Sequence, residues 1–419
     1  MRILVNDFAG HPFQVELSRA LAARGHNVLH CYCASNLSPK GSLTRRDDDA
    51  GNFAVRPISI GESFEKYGML KRWSQERAIG REIAVAANKF APDVIISANT
   101  PLGTQGVLMG FARSQNIPFV FWLQDLLSIG ICGQLQKRLP VVGGVIGRVF
   151  RVYEHVLLAR SFHVVSITKD FLKYLPRRMR KAERASVIQN WAPLNELPLQ
   201  PRDNGWSRRH GLAGKTCVLY AGTLGLKHNP ELLVKLALQY TGNPTVQVVV
   251  VSEGQGADYL ARRKAELALG NLTLLPFQRF EDMPEVLASA DILVSILEKE
   301  AGVFAVPSKV LTYLCAARPL LLAMPETNLA ARIVREVGAG LSAAPDDAGA
   351  FIAAAGHLIE NPGLREDMAL RARDYAERHF DIHSIVRRFE TVLMDATIVP
   401  VDTPVYGDAV FNPAMAARA

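Results

Sequence analysis

Val306-Pro307-Ser308-Lys309-Val310-Leu311-Thr312-Tyr313-Leu314 is the stretch on which the reading of this chain turns. It follows a strand-like apolar run, Ile292 to Leu297, and a loop containing Gly302. It leads into a helical pattern that ends near Ala316-Ala317-Arg318-Pro319, after which Leu320 to Ala323 reads as the next strand. A polar loop carrying a fixed cation therefore stands at the carboxyl end of a buried strand and at the start of a helix. An open α/β sheet places anionic ligands there. Unpaired helix N–H groups, Ser308 and the Lys309 ammonium are the groups that would hold a diphosphate. The competing reading is an ordinary strand-to-helix turn with a solvated lysine, since such turns recur throughout this fold class.

The same alternation extends both ways. Downstream of a stretch rich in Pro, Asn and Leu, Cys217 to Ala221 reads as a strand, Pro230 to Leu238 as a helix, and Val246 to Val251 and Leu272 to Leu275 as strands. Met283 to Ser289 reads as a helix. Upstream, Ile3 to Val5, Asn27 to Leu29, Phe53 to Ile58, Val94 to Ile96, Pro118 to Leu123 and Val164 to Ser166 form a first series, the last of these closing it. Helices fall at Glu16 to Arg24, Gln75 to Phe90 and Gly106 to Arg113. Short apolar strands alternating with helices predict parallel sheets covered on both faces. Asn190 to Gly205 lacks either periodicity and reads as an interdomain linker. The expected layout is one Rossmann-like domain over 1–195 and a second over 206–380. A helix over 381–399 would cross back to the first, and a loose Pro- and Ala-rich tail covers 400–419. Two such domains would face each other across a cleft.

Composition narrows the function. The chain has 419 residues, 49% hydrophobic and 21% charged, enough for two cored domains. A net charge of +8 suits anionic small molecules, anionic lipid surfaces or nucleic acid. Zinc-finger spacing and aromatic-plus-basic repeats are missing, so nucleic acid ranks last as a partner. The five cysteines, Cys31, Cys33, Cys132, Cys217 and Cys315, form no C-x-x-C pair. They read as small buried apolar residues in a reducing compartment. No apolar run has the length of a signal peptide or a transmembrane helix. The expected location is cytoplasmic, with peripheral contact at the inner face of the cell membrane.

With these elements in order, the chain resembles GT-B glycosyltransferases of the retaining family-4 (group 1) type. It is most similar to bacterial sugar transferases of exopolysaccharide, colanic-acid and O-antigen pathways. The resemblance covers roughly residues 1 to 395 by element count. Ala20-Leu21-Ala22-Ala23-Arg24-Gly25-His26-Asn27-Val28 is similar to the family's first β-α-β unit. Phe119-Val120-Phe121-Trp122-Leu123-Gln124-Asp125-Leu126 resembles its strand ending in an aspartate, and Val187-Ile188-Gln189-Asn190 the segment that closes the first domain. Tyr220-Ala221-Gly222-Thr223-Leu224-Gly225-Leu226-Lys227 resembles the glycine turn and lysine of the donor domain. Phe277 to Asp291 is similar to the family's approach to the diphosphate loop, and Pro307-Ser308-Lys309 to that loop itself.

The resemblance implies roles. Lys227 and Lys309 would neutralise a departing nucleotide diphosphate, with Ser308 beside them. Gly222 and Thr223 would bring backbone groups close to the ligand. Glu253 and Gly254 lie in a Gly-rich loop near the nucleotide, and Phe277 lies in the base-contacting segment. The family often carries Glu-x(7)-Glu here, but this chain has Phe304 and Thr312 at those positions. Thr312 offers a hydroxyl for the ribose, a weaker partner than a carboxylate. Glu300, with Glu298 beside it, would replace the first carboxylate; the alternative is that both face solvent. In the first domain Gly10 and His11 follow the first strand. There the backbone of Gly10 can approach a phosphate and His11 can donate to an acceptor or leaving group. A merely exposed histidine is the plainer reading. Asp125 would orient an acceptor hydroxyl or cap the next helix, and Asn99 is a further acceptor-side candidate. Relatives often have His-Asp where this chain has Gln124-Asp125.

No D-x-D signature stands in a suitable loop, so neither a metal nor another cofactor is expected; the lysines would do the ion's work. The chain offers no clear nucleophile–base pair, consistent with the family's front-face mechanism. Lys137-Arg138 and Arg148 to Arg160 frame an apolar stretch that would rest on an anionic membrane surface; a core-facing helix with a solvated side is the alternative. The expected activity is transfer of a sugar from a nucleotide sugar, UDP by family habit, to a polyprenyl-diphosphate-linked glycan. A UDP-sugar epimerase and a non-catalytic nucleotide-binding scaffold are the alternatives, the latter drawing on the two missing glutamates.

Overall fold

Every strand among the described residues runs parallel to its neighbours. The computed structural model describes residues 1–36, 40–64, 68–98, 100–225 and 228–398. These fall into two units. One is drawn from Met1–Leu37, Leu43–Gln189 and His383–Ala419, the other from Ser38–Ser42 and Asn190–Ile382.

The first unit holds strands β1 (Arg2–Asp7), β2 (Asn27–Cys33), β3 (Phe53–Ile58), β4 (Val94–Ala98), β5 (Phe119–Leu123), β6 (His163–Ser166) and β7 (Ala185–Val187). Their order across the sheet is β3-β2-β1-β4-β5-β6-β7. The second unit holds β8 (Thr216–Ala221), β9 (Val246–Val251), β10 (Leu272–Leu275), β11 (Ile292–Ile296), β12 (Leu320–Ala323) and β13 (Gly340–Ala343), ordered β10-β9-β8-β11-β12-β13. The central strands β4, β5, β9, β11 and β12 are buried along their whole length. That burial explains their unbroken apolar runs, because helices cover both faces of a parallel sheet. In each sheet the chain reverses direction of travel once, between β1 and β4 and between β8 and β11. Ligands of open α/β sheets bind outside the carboxyl ends of strands at such reversals.

The fold is the doubly wound α/β pair expected from the sequence, with three differences. The first series does not end at Ser166: β7 pairs with β6 in parallel and adds an edge. The second gains β13 beside β12. Residues 190–205, expected as the interdomain linker, fall within the second unit. Trp191, Ala192 and Leu197 are buried, and the Asn204 side chain caps the helix Gly205–Arg209 while donating to the carbonyl of Glu285. Isolated apolar residues without a period escape a search for periodicity, yet they dock this segment on the second unit.

The helix Ile382–Ile398 packs on the first unit through Ile385, Val386, Phe389, Leu393 and Ala396. The Phe389 and Trp122 rings lie 4.6 Å apart, and Glu390 accepts from Arg24 and from His26 Nε2 at 2.8 Å each. All five cysteines are buried and none forms a disulfide. No helix among the described residues is long and apolar enough to cross a membrane.

Candidate functional site

In the first unit the carboxyl end of β1 carries a buried polar cluster. Asn6 Nδ2 donates to Ser97 Oγ and Thr100 Oγ1, both at 2.9 Å, so it ties β1 to the end of β4 across the reversal. Asp7 is wholly buried. Its Oδ1 accepts from the backbone N–H of Ala9 at 3.1 Å and its Oδ2 from that of His11 at 2.5 Å. With its amide turned toward the carboxylate, Gln14 donates to it as well. His30 Nε2 stands 3.9 Å from Oδ2, and its Nδ1 pairs with Ser18 Oγ at 2.8 Å. Burial pushes the Asp7 carboxyl up to about 8, against the lowering effect of the N–H groups of Gly10, His11 and Ala9. Burial pushes His30 down to about 3.

Asp7 thereby shapes the loop on which two sequence candidates sit. Gly10 takes φ 77°, a left-handed conformation that glycine adopts without strain. His11 is the N-cap residue of the helix Pro12–Ala23, and its half-buried ring stacks on Phe13 at 5.6 Å between centroids. Asp125 is half-buried just after β5. The helix that follows receives a carboxylate at its first turn from Glu154, which no sequence motif marks. The buried Glu154 carboxylate accepts from Ser128 Oγ at 2.5 Å and from Ser128 N at 3.4 Å, in the first turn of the helix Leu127–Arg138. Burial pushes it up to about 7. Asn99 lies outside the described residues, as does Lys227 in the second unit.

In the second unit the structure brings Lys309, Gly222 and Thr223 together. The Lys309 ammonium donates to Tyr220 Oη, lies 3.7 Å from the centroid of the Tyr220 ring, and reaches 3.5 Å from the Thr223 carbonyl. Gly222 takes φ 124°, and a Cβ there would meet Lys309 Nζ at 3.3 Å and Cε at 3.4 Å. The missing Cβ at Gly222 leaves room for the lysine side chain. The Tyr313 hydroxyl accepts from Ala221 N and donates to Ala221 O, both at 2.9 Å, pinning the end of β8. Neither tyrosine was singled out from the sequence.

The remaining candidates surround this centre less tightly. Glu253, after β9, accepts from the backbone N–H of Phe277, after β10, at 3.0 Å, joining the two loops. Gly254 takes φ 91° and is the N-cap residue of the helix Gln255–Glu266. Ser308 makes no side-chain cap; its carbonyl accepts from Leu311 N at 3.0 Å. The helix Lys309–Cys315 has seven residues, and so short a helix has a weak macrodipole, while Lys309 at its first position carries a full positive charge. Thr312 lies half-buried one turn beyond it. Glu300 is exposed at the start of the turn Ala301–Val303, while the carbonyl of half-buried Glu298 accepts from Ala301 N and Gly302 N.

Two family models match, one in each half of the chain. The glycosyl transferase 4-like domain matches residues 11–191, and the glycosyl transferases group 1 model matches residues 215–361. An Escherichia coli (strain K12) protein named as a colanic acid biosynthesis glycosyl transferase, WcaI, is 22% identical over 319 residues, spanning 73% of this chain and 74% of its own. Among solved structures, Anabaena Alr3699/HepE in complex with UDP-glucose superposes with a TM-score of 0.68 at 17% identity, over 94% of this chain and all of that one. Sucrose-phosphate synthase from Thermosynechococcus elongatus gives 0.72 at 15% identity, over 94% and 98%. At these identities the structures speak for the fold, and the two family models speak for the chemistry. The chain is a group 1 glycosyltransferase of the GT-B fold, similar to enzymes of exopolysaccharide synthesis.

Proposed function

We propose that this enzyme transfers a sugar from a UDP-sugar to a polyprenyl-diphosphate-linked glycan in the synthesis of a bacterial surface polysaccharide, with retention at the anomeric carbon. The observation that carries the reading is the Lys309 ammonium held at the carboxyl end of β8, beside the β8/β11 reversal. A cation fixed at that edge suits a departing diphosphate. The HepE complex with UDP-glucose and the WcaI likeness support the donor class and the pathway class.

In this reading the bond between the anomeric carbon and the diphosphate oxygen breaks while the acceptor oxygen bonds on the same face. The acceptor's proton passes to the leaving diphosphate. Lys309 and Lys227 stabilise the charge that develops on that group, with Ser308 and the Gly222–Thr223 backbone beside it. Glu253, Gly254 and Phe277 meet the nucleoside, Thr312 a ribose hydroxyl and Glu300 the donor sugar. Gly10, His11, Asn99 and Asp125 serve the acceptor side. No metal takes part, because the lysines supply the positive charge. The enzyme works on the cytoplasmic face of the membrane. An exposed apolar patch with basic neighbours in the first unit, at Leu139, Val141, Val142 and Val145, supports contact with an anionic surface.

The test is calorimetry of UDP, GDP and ADP in EDTA, on wild type and Lys309→Ala. The expected result is selective UDP binding, weakened at least tenfold by the substitution, followed by transfer from a UDP-sugar to lipid-linked acceptor in membrane extracts. Absence of binding by any of the three would overturn the reading. Interconversion of sugar nucleotides without acceptor would favour an epimerase instead.

A further inference from the structure

We propose that Tyr220 is the positioning residue of Lys309: its ring face and hydroxyl hold the ammonium over the Gly222 turn, ready for the diphosphate. This rests on the reading of Lys309 as a diphosphate ligand.

Tyr220 is the penultimate residue of β8 and is wholly buried in the apolar core of the second unit, with Leu224, Leu233 and Val250 in the same cluster. A buried tyrosine hydroxyl needs partners. It donates to the Thr223 carbonyl at 2.8 Å, which closes the glycine turn on itself. Its oxygen then accepts from Lys309, whose ammonium also lies on the ring face. One aromatic residue therefore shapes the turn and holds the cation. Burial holds the Tyr220 hydroxyl well above its ordinary range, so it stays neutral. That choice of anchor matters. A carboxylate at this place would orient the lysine but cancel its charge; a phenol orients it and adds no negative charge to compete with the incoming anion.

The helix supports the arrangement. Lys309 and Tyr313 are four residues apart on the helix Lys309–Cys315 and share a face. Tyr313 grips the backbone of Ala221 while Lys309 reaches across Gly222 to Tyr220. Two side chains of one helix thus clasp the end of β8, and Gly222 leaves room for the Lys309 side chain. A lysine side chain free to rotate loses rotamer entropy when a ligand fixes it. Holding it before the ligand arrives removes part of that cost from binding.

The experiment is UDP calorimetry on full-length Tyr220→Phe, with uridine affinity measured by competition and with thermal unfolding as the control. The phenyl ring keeps the packing and the ring face but loses both hydrogen bonds of the hydroxyl, to Lys309 and to the Thr223 carbonyl. The expected result is UDP binding weakened about tenfold, uridine affinity unchanged, and a small change in Tm. Should Tyr220→Phe fail to fold, Gly222→Ala is the second variant. Its methyl crowds Lys309 Nζ and is expected to weaken UDP more than uridine. Tyr220→Phe binding UDP as wild type does would overturn the inference while leaving the donor reading intact. An equal loss for UDP and uridine would also overturn it, by showing a general distortion of the site. A wild type that binds no nucleoside diphosphate would overturn the donor reading and the inference with it.

Discussion

Asp7 and His30 face each other at 3.9 Å and titrate with opposite consequences. Asp7 is raised to about 8. A carboxyl raised on folding stabilises when protonated, so its contribution is complete below the unfolded value and is lost as pH rises through about 8. His30 is lowered to about 3, so it favours folding above its ordinary value near 6.5 and loses that as pH falls. The two slopes offset each other in mild acid. Glu154, raised to about 7, has the same sign and adds to the Asp7 slope until about one pH unit above that value, so the Asp7→Asn difference isolates the Asp7 part. Wild type is expected to lose on the order of 2 kcal/mol of unfolding free energy between pH 6.5 and 8.5 from this group. Urea unfolding of Asp7→Asn across that range checks it: a slope equal to wild type would remove Asp7 as the source. These residues were poorly legible in the sequence. Gly222 stands in a loop after an apolar run and Lys309 at the start of a helix after another, so both could be read. Tyr220 looks like one more apolar residue of β8, and its partner lies 89 residues away. Asp7 closes a strand, and its partners become neighbours only when the loop folds over it.

The helix pair Leu127–Arg138 and Pro140–Arg160 shows what an element can carry. Val141, Val145, Arg148 and Val152 follow at spacings of four, three and four, so they share one face. All four are exposed, and Leu139 and Val142 extend the patch at the helix start. Lys137 and Arg151, also exposed, flank it. The apolar stretch was read from the sequence as either core-facing or membrane-facing, and this row of valines faces solvent. Contiguous exposed apolar residues with cationic neighbours suit an anionic lipid surface. Val141→Asp with Val145→Asp is expected to reduce sedimentation with phosphatidylglycerol vesicles at least tenfold and to leave Tm within a few degrees. Unchanged sedimentation would sink the membrane assignment. Elements with long apolar runs were the legible ones. The strands β7 and β13 were not, because short edge strands, one half-buried throughout and one of mixed burial, carry little apolar signal.

At the scale of the whole molecule, the first unit is completed by the other end of the chain. The helix Ile382–Ile398 supplies Phe389, wholly buried against Trp122 of β5, and Glu390, paired with Arg24 and His26. Its ion pairs are partly exposed and contribute modestly. The apolar contact contributes more, since truncating a buried phenylalanine costs about 3–5 kcal/mol. Phe389→Ala in the full chain should therefore loosen the first unit selectively, although residue 389 follows the whole second unit in sequence. Hydrogen exchange distinguishes the cases. Amides of β1, β4 and β5 should lose protection by roughly the factor that 3–5 kcal/mol implies, while those of β8, β9 and β11 keep theirs. Equal loss in both sheets would mean that the two units unfold as one cooperative body. No loss in either would mean that the helix contributes little to the first unit's stability. In the expected case, the stability of the first unit's sheet depends on the helix Ile382–Ile398, and Phe389 is the residue through which it does so.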